Sequence, residues 1–534
     1  MQKELIAFIQ KFDSVVQPLT KASSLAYWNA SISGKDEDWK KSEELNIELT
    51  KVFANKEDFT ILKRIKESGS IQDELLQRQL DVMYDAYLGN QVDTALLNTV
   101  ISMQTEIEQK YSNFRADVNG KKLSDNEVED ILKTSTSSAE LKLTWEGHKA
   151  IGPVVAQDII KLLKKRNEIA KQLGFNNYHE MSLKLSEQDP QEISSLFDEL
   201  DKLTHDSFAG LKSEIDTYLS KRDNVKAEEL MPWHYQNRFF QEPPAIYSID
   251  LDKYYKDRNI ETLTTDYYSS IGLDIRDMIG KSDLYEKPGK NQHAYCIDID
   301  NQGDVRVLCN IKPNQNWMGT MLHEFGHANY DKYIDQQLPF ALRNPAHTFT
   351  TEAIAMFFGR MSSNARFLVD MKLTDTADAN KVSAEGFKVL RLEQLTFSRW
   401  AQVMYRFEKA LYADPDQDLN TLWWDLVEKY QMIKRPANRN QPDWASKIHI
   451  ATSPCYYHNY LLGELLASQF NHYITASILK SDDFGQSYYG KKEIGEYLKE
   501  NVFKPGARYS WNEMIEKATG EKLTAKYYAE QFVK

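Results

Sequence analysis

The sequence predicts a mainly α-helical protein, in which one large helical unit with two lobes around a cleft carries a small β-hairpin. Three observations lead to this prediction. Apolar residues recur at a helical period along nearly the whole chain, one short stretch alone has the pattern of paired strands, and no linker rich in Gly, Ser and Pro divides the chain. A composition of 41% hydrophobic residues supplies enough apolar surface for a large core.

The helical pattern is clearest over residues 189–221. Asp189 is a suitable cap, Pro190 occupies the first helical position, and apolar residues then follow at about 3.6-residue intervals. Similar patterns predict helices over 3–16, 37–53, 57–67, 70–117, 125–133, 137–172, 260–271, 384–412, 418–431, 458–480, 492–500, 511–517 and 523–533.

Residues 293–311 interrupt the helical pattern and predict a β-hairpin. β-branched residues lie on either side of the turn signal Asn301-Gln302-Gly303. Cys296 and Cys309 flank this turn almost symmetrically, so a local disulfide is conceivable, although two small residues on paired strands is the simpler interpretation. The aromatic stretch 231–246 and the proline-containing stretch 434–456 have the composition of packed loops near a site.

Charge and composition exclude several classes of partner. A net charge of -13 disfavours nucleic acid and anionic membranes. No run approaches the roughly 18 apolar residues that span a bilayer, and the N-terminal residues lack the features of a signal peptide. The chain as given is therefore expected to be cytoplasmic, or secreted or periplasmic if a leader was removed. Three cysteines do not make a disulfide framework.

The strongest chemical motif is His323-Glu324-Phe-Gly-His327. Spacing of four residues places both imidazoles on one face of a helix, which Asn314 or Asn316 could cap. Two imidazoles and a carboxylate suit a catalytic zinc with an open fourth position, and Glu324 suits the general base. A strand next to such a helix often offers its backbone to an extended peptide.

A third ligand must come from farther along the chain. Residue 333 is Tyr, so a histidine six residues after His327 is absent. Glu352 begins a new helix after Pro345, and a carboxylate among apolar residues is costly to bury unless it is paired or binds a metal. The alternative is a first-turn Glu that the helix dipole favours.

Residues 447–460 contain donors that an acyl-transfer site needs. Tyr457 and Tyr460 are three residues apart and could share a helix face. Lys447 could pair with the terminal carboxylate of a peptide.

These motifs together resemble the angiotensin-converting-enzyme family (peptidase family M2) of zinc peptidyl-dipeptidases. The resemblance rests on HEFGH, Glu352 placed 25 residues after His327, Lys447-x-His449, and Tyr457-x-x-Tyr460. Further blocks match in order at residues 24–30, 144–148, 173–178 and 511–523, so the resemblance covers nearly the whole chain.

The resemblance implies a single M2-type domain over residues 1–534, folded as a helical ellipsoid around a deep substrate channel. It also implies a zinc cofactor, oligopeptide substrates, no nucleic acid or membrane partner, a monomeric state and a bacterial-type member. The residues to which it assigns roles are the metal ligands His323, His327 and Glu352; the base Glu324; the transition-state donor Tyr460; His449 and His293 at substrate carbonyls; Ala294 as a backbone contact; and Lys447 and Tyr457 at the terminal carboxylate.

Several positions depart from the family pattern. Met356 replaces an acid that supports a ligand from outside, and Asn459 replaces an arginine that coordinates chloride. The carboxylate-binding glutamine of the family falls within residues 231–239, where Trp233, Tyr235 and Gln236 compete for it. That position separates release of dipeptides from release of single residues.

Two classes of function therefore stand beside a peptidyl-dipeptidase. The first is another zinc hydrolase, either a carboxypeptidase or a channel-type oligopeptidase. An oligopeptidase that cleaves internal bonds should be indifferent to amidation of the substrate's C-terminus. The second is a peptide- or partner-binding protein on the same scaffold. The intact set His323, Glu324, His327 and Glu352 speaks against the second class.

Overall fold

A computed structural model describes residues 1–247 and 249–533 of the chain. Within these ranges the structure has 23 α-helices and four short β-strands, which confirms the mainly α prediction. The chain forms two compact units that are described separately. Unit 1 comprises Met1–Gln91, Ile249–Gly386 and Leu462–Tyr527, and unit 2 comprises Val92–Ser248, Phe387–Leu461 and Tyr528–Lys534.

The elements in the first part of the chain are α1 (Gln2–Ser33), α2 (Asp36–Phe53), α3 (Lys56–Glu67), α4 (Glu74–Leu88), α5 (Thr94–Asn113), β1 (Ala116–Val118), β2 (Lys121–Leu123), α6 (Asp125–Thr134), α7 (Ser138–Lys149), α8 (Ile151–Gln172), α9 (Tyr178–Leu185) and α10 (Pro190–Asp223). The central part contains α11 (Asp252–Tyr255), α12 (Ile260–Ser270), α13 (Arg276–Ile279), β3 (Tyr295–Asp298), β4 (Val305–Leu308), α14 (Gln315–Tyr333), α15 (Thr348–Gly359) and α16 (Ala365–Asp370). The last part contains α17 (Thr376–Ala413), α18 (Leu419–Leu426), α19 (His449–Thr452), α20 (His458–Tyr473), α21 (Lys492–Leu498), α22 (Trp511–Thr519) and α23 (Lys526–Phe532).

Several predicted helices have other bounds in the structure: the helix predicted over 137–172 is two helices, α7 and α8, and the helix predicted over 3–16 extends to Ser33 as α1. The single helix predicted over 70–117 is two helices, α4 and α5, and the second helix has its own cap at Asp93. A second hairpin, β1–β2, follows α5 and was not predicted. Its turn residues Asn119 and Gly120 both have positive φ, and Asn-Gly is the sequence signal for this type of tight turn.

The predicted hairpin at 293–311 is present as β3 paired antiparallel with β4. The register sets Cys296 opposite Val307, and Cys309 lies beyond the end of β4. Among the described residues neither cysteine forms a disulfide; Cys296 lies on β3, as the simpler interpretation expected, but Cys309 lies just outside the paired strands.

Unit 1 has an apolar core at the N-terminal helices. The buried side chains Leu5, Phe8 and Phe12 on α1 pack against α3 and α4. The ring of Tyr87 on α4 makes edge contacts with Phe8, with centroids 6.1 Å apart. Aromatic pairs of this geometry add to the stability that burial alone provides.

The closest helix packing relevant to the site joins α14 to α15 in unit 1. Asn314 caps α14 by accepting a hydrogen bond from the Trp317 amide at 2.9 Å. A helix follows Pro345 as predicted, but α15 begins at Thr348, so Glu352 lies beyond its first turn and does not begin the helix. The helices approach where Gly326 faces Ala355: a Cβ at Gly326 would lie 2.9 Å from the Ala355 Cα. Only glycine allows this distance, so Gly326 sets how near α15 comes to α14.

Unit 2 is organised around α10 and the unit 2 portion of α17. Asp189 caps α10 by accepting from the amides of Gln191 and Glu192, as predicted. Gln402 on α17 donates to the Phe197 carbonyl at 2.6 Å, and the rings of Phe197 and Tyr405 lie 4.4 Å apart. No helix in the described parts of the two units combines the length and the apolar character needed to cross a bilayer.

We predict that Gly326→Ala destabilises the protein by about 1–3 kcal/mol, because the added methyl group overpacks the α14–α15 contact. The midpoint of urea-induced unfolding measures the change. Gly210→Ala on α10 is the control, since a Cβ there meets nothing within 4 Å. The control should be neutral or stabilising by about 0.4–1 kcal/mol. Equal midpoints for the two variants would contradict the packing argument.

Candidate active site

The predicted metal-ligand motif lies on α14, and its third member lies on α15. The rings of His323 and His327 stand one helical turn apart, with centroids 4.9 Å apart. Glu352 approaches from α15, and its Oε2 lies 3.7 Å from Nε2 of His323 and 3.8 Å from Nε2 of His327. The structure therefore brings together all three residues that the sequence suggested as ligands.

These three side chains fit a tetrahedral metal ion. Donors about 2.0–2.2 Å from such an ion lie about 3.3–3.6 Å from one another, close to the imidazole–carboxylate distances found here. The ligand atoms all lie within 4.8 Å of one another, yet imidazole and carboxylate are too far apart to form a hydrogen bond. The three side chains therefore face a common space. Two imidazoles and one carboxylate are a donor set that suits zinc and leaves one position open.

Burial sets the charge of each group at this site. It lowers the pKa of His323 to about 4 and that of His327 to about 3, so both rings are neutral at pH 7 and can offer a lone pair. Burial, followed by the charge of Glu352, raises the pKa of Glu324 to about 8. Without a cation nearby Glu324 therefore holds a proton readily, and a bound cation would favour its carboxylate form.

Thr351 orients one of the two histidines. Its Oγ1 lies 2.7 Å from Nδ1 of His327. With Nδ1–H donating to this hydroxyl, the lone pair is on Nε2, the nitrogen that faces Glu352. One residue of α15 thus supports a ligand, and the next residue is itself a ligand. Sequence reasoning did not identify Thr351, although its position directly before Glu352 on a helix packed against α14 was a usable signal.

The residues predicted to contact substrate backbone lie beside this motif in unit 1. His293 and Ala294 immediately precede β3, and β3 packs against α14. His293 is exposed and Ala294 is half-buried. The backbone amide of His293 donates to Oδ1 of Asn291 at 3.0 Å, which holds the start of the strand.

Unit 2 contains a lysine enclosed by aromatic rings. Nζ of Lys447 lies 5.1 Å from the ring centroid of Phe239, 5.3 Å from that of Trp400 and 5.4 Å from that of Tyr457. It donates a hydrogen bond to Oε1 of Gln241 at 2.6 Å. Burial, followed by the charge of Arg238, lowers the pKa of Lys447 to about 7.

Gln241, the hydrogen-bond partner of Lys447, lies just outside residues 231–239, where the sequence analysis expected a glutamine that binds the substrate carboxylate. Each of the three candidates there has another role: Trp233 packs on Trp145, the Tyr235 hydroxyl donates to Asp216, and the Gln236 amide bonds to backbone. Gln241 is the second glutamine of the same loop. Two residues of this loop, Gln236 and Phe240, have positive φ, and such a backbone path could not be read from the sequence.

The remaining predicted residues cluster with Lys447. The ring of Tyr457 lies 5.4 Å from that of His449 and 5.5 Å from that of Tyr460. Nδ1 of His449 is buried and has no hydrogen-bond partner among the residues that the structure describes. Burial, followed by the charge of Lys447, lowers the pKa of His449 to about 4, so this ring is also neutral at pH 7.

A family model described as angiotensin-converting enzyme, in peptidase family M2, matches residues 1–532. The chain belongs to the M2 peptidase family. It is a metallopeptidase of the peptidyl-dipeptidase type.

Sequence relatives agree with this assignment at low identity. Angiotensin-converting enzyme of Haematobia irritans exigua is 24% identical over 453 residues, covering 76% of this chain and 72% of that protein. The enzyme of Theromyzon tessulatum is 22% identical over 434 residues, covering 75% and 70%. For the enzyme of Mesocricetus auratus the identity is 23% over 569 residues, covering 98% of this chain and 42% of that protein.

One departure of this M2 peptidase from its family pattern has a structural account. Nε2 of Gln188 donates to Oδ1 of Asn459 at 2.7 Å, and Oε1 of Gln188 lies 2.7 Å from Nε2 of His458. The side chains of Gln188 and Asn459 carry no charge, so position 459 supplies no cation for an anion.

We predict that Thr351→Val weakens binding of a divalent transition-metal ion by about 10-fold, because Nδ1–H of His327 loses its acceptor. Competition with a chromogenic chelator measures the affinity. Thr320→Val on α14 is the control, since that exposed hydroxyl bonds only to its own helix, at the Asn316 carbonyl. Equal metal affinity of the two variants would show that the Thr351 hydroxyl does not support the metal site.

Proposed function

We propose that this M2 peptidase is a zinc-dependent peptidyl-dipeptidase that removes C-terminal dipeptides from oligopeptides. The observation that carries the proposal is the convergence of the ligand atoms of His323, His327 and Glu352 within 4.8 Å, beside the buried Glu324. Family membership adds the reaction type.

In this proposal His323, His327 and Glu352 hold zinc, which when bound supplies a Lewis acid that acidifies water and polarises a carbonyl oxygen. Glu324 is the general base. Its raised pKa means that the carboxylate, once formed, accepts a proton readily, and the resulting acid can deliver that proton to the leaving amine. Glu324 serves both transfers, because the proton that it accepts is the proton that the leaving nitrogen then needs.

Other residues are assigned by the family resemblance and stay predictions. They are Tyr460 as donor to the transition state, His449 and His293 as donors to substrate carbonyls, and Ala294 as a backbone contact. The low pKa of His449 is compatible with its part, since a neutral imidazole can donate a hydrogen bond without adding a charge.

Recognition of the C-terminal carboxylate is assigned to Lys447, with Gln241 and Tyr457 beside it. Among the residues that the structure describes, the hydrogen-bond partner of the lysine is a neutral amide at 2.6 Å, and aromatic rings surround it. A buried ammonium group without a paired carboxylate is costly, and an incoming carboxylate would relieve that cost. This arrangement favours an exopeptidase over an oligopeptidase that cleaves internal bonds.

We predict that Glu324→Gln lowers kcat by about 10²–10⁴-fold while zinc content stays near one ion per chain, because the amide cannot accept the proton. Cleavage of an oligopeptide by mass spectrometry and metal analysis measure the two quantities.

The matched control is Glu408→Gln. Glu408 in unit 2 is also buried, burial likewise raises its pKa to about 8, and it lies outside the predicted site residues. This variant should keep turnover within a few fold of the original. Near-normal turnover in Glu324→Gln would refute the base assignment.

We predict that Lys447→Met lowers kcat/KM for a peptide with a free C-terminus by about 30-fold or more, which corresponds to about 2 kcal/mol for losing one partner of a buried charge pair. The same peptide with an amidated C-terminus is the control, and its kcat/KM should change little. An equal loss on both peptides would show that Lys447 does not recognise the carboxylate.

The pH dependence follows from the same lysine. Its pKa of about 7 means that the ammonium form is present at lower pH and is lost as the pH rises through about 7. The ratio of kcat/KM between free and amidated peptides should therefore fall above pH 7 in the original protein. In Lys447→Met the ratio should not change over this range.

A further inference from the structure

His323 and His327 differ in the hydrogen-bond acceptor that each has at Nδ1. His327 has the hydroxyl of Thr351 at its Nδ1. Among the residues that the structure describes, no side chain accepts a direct hydrogen bond from Nδ1 of His323, and Met356 stands where the family pattern has an acid. Ligating histidines are generally oriented by an acceptor at the second nitrogen. The structure should therefore contain another group on that side of His323.

The Nδ1 side of His323 lies against the last turn of α15. A Cβ at Gly359 would meet Cβ of His323 at 3.5 Å and Nδ1 at 3.9 Å. Arg360 directly follows Gly359, and its guanidinium forms an ion pair with Glu464 on α20. Both side chains are mostly buried, with 11% of Arg360 and 13% of Glu464 exposed. Nη1 of Arg360 also donates to Oγ of Ser468 at 3.5 Å, one turn farther along α20.

Close packing brings this part of α20 to the metal ligands. A Cβ at Gly463 would lie 3.2 Å from Sδ of Met356 and 3.4 Å from Cβ of Glu352. Gly463 therefore lets the helix lie directly on the face of α15 that carries Glu352 and Met356. Glu464, the next residue of α20, enters the same region with a carboxylate.

The charge of Glu464 acts on two of the three ligands. Burial lowers the pKa of His323, and the carboxylate of Glu464 opposes that shift. Burial raises the pKa of Glu352, and Glu464 adds to the rise. The packing agrees with this influence, since Glu464 follows Gly463, which packs on Glu352, and pairs with Arg360, which follows Gly359 beside His323.

We propose that Glu464, held by Arg360, is a positioning residue of the metal centre and supports His323 in place of the acid that Met356 has replaced. This inference rests on the proposed zinc site. In this proposal the carboxylate comes from α20, which packs on α15, and the ion pair with Arg360 fixes where it points. Glu464 touches no reacting atom in this role. It acts through His323 and through the charge that it adds beside the ion.

The test compares zinc binding by the original protein, Glu464→Gln and Asp283→Asn. Glutamine keeps the shape and a hydrogen-bond acceptor for Arg360 but removes the charge. We expect Glu464→Gln to lower zinc affinity by about 10–100-fold in competition with a chelator. The visible absorption of the cobalt-loaded variant should also shift.

Asp283→Asn controls for loss of a buried ion pair as such. Asp283 pairs with the fully buried Lys290 at 2.8 Å in the same unit, and 11% of the aspartate side chain is exposed. This variant should lower the melting temperature of the zinc-free protein but leave zinc affinity and the cobalt spectrum unchanged. A purely structural Glu464 would behave in the same way, and that result would overturn the proposal.

A second variant restores the acid at the family position. Met356→Asp combined with Glu464→Gln should recover zinc affinity to within about threefold of the original, because the two sites are in contact and their effects are coupled. This double variant also keeps the test decisive if Glu464→Gln alone does not fold. If the double variant binds zinc about 10-fold more weakly than the original, an acid at position 356 does not take the place of Glu464, and the proposal is wrong.

Failure of this inference is distinguishable from failure of the proposed function. An original protein that binds no zinc would refute the proposed function, and this inference with it. An original protein that binds zinc, together with a Glu464→Gln variant of equal affinity and equal cobalt spectrum, would refute the role of Glu464 alone.

Discussion

The metal centre depends on how closely α15 lies against α14. The absence of a side chain at Gly326 lets the backbone of Ala355 approach, and this approach puts Oε2 of Glu352 3.7 Å from Nε2 of His323. A carboxylate one ångström farther away would leave two histidines without a third donor at bonding distance. The chemistry of the site therefore rests on a steric property of a residue that binds nothing. The same contact places Thr351 against His327, so one helix–helix interface supplies both a ligand and the support of another ligand.

The sequence was informative wherever chemistry follows from local spacing. A four-residue interval on a helix brings two imidazoles together whatever the rest of the fold does. Asp189 and Asn314 mark helix starts through local hydrogen bonds, and Pro190 does so through its fixed φ. It was less informative where a residue depends on a distant partner. Gln241 reaches Lys447 only through a loop with unusual backbone angles, and Glu464 meets Arg360 across 104 positions of sequence. The two-lobed channel, the single domain and the bacterial-type assignment stay predictions.

In both units, titratable groups among the predicted site residues have pKa values shifted toward the uncharged form. The partly buried imidazoles of His323, His327 and His449 have lowered pKa values and are neutral at pH 7. Lys447 is held among rings and an amide, with a pKa near neutrality, so its charge responds to what arrives beside it. In unit 1 the acids Glu324 and Glu352 have raised pKa values, which a bound cation would lower. The charges of Lys447, Glu324 and Glu352 therefore depend on the ion or ligand that binds beside them.

The division of unit 1 into three separate stretches of chain bears on how the protein is made. During synthesis α14 and α15 emerge with His323, His327 and Glu352, but Gly463 and Glu464 follow only about a hundred residues later. A nascent chain that has just completed α15 thus carries all three donors without the helix that packs on Glu352. With the role proposed for Glu464, tight metal loading is a late event in biogenesis, and zinc captured earlier would exchange freely until α20 closes over the site.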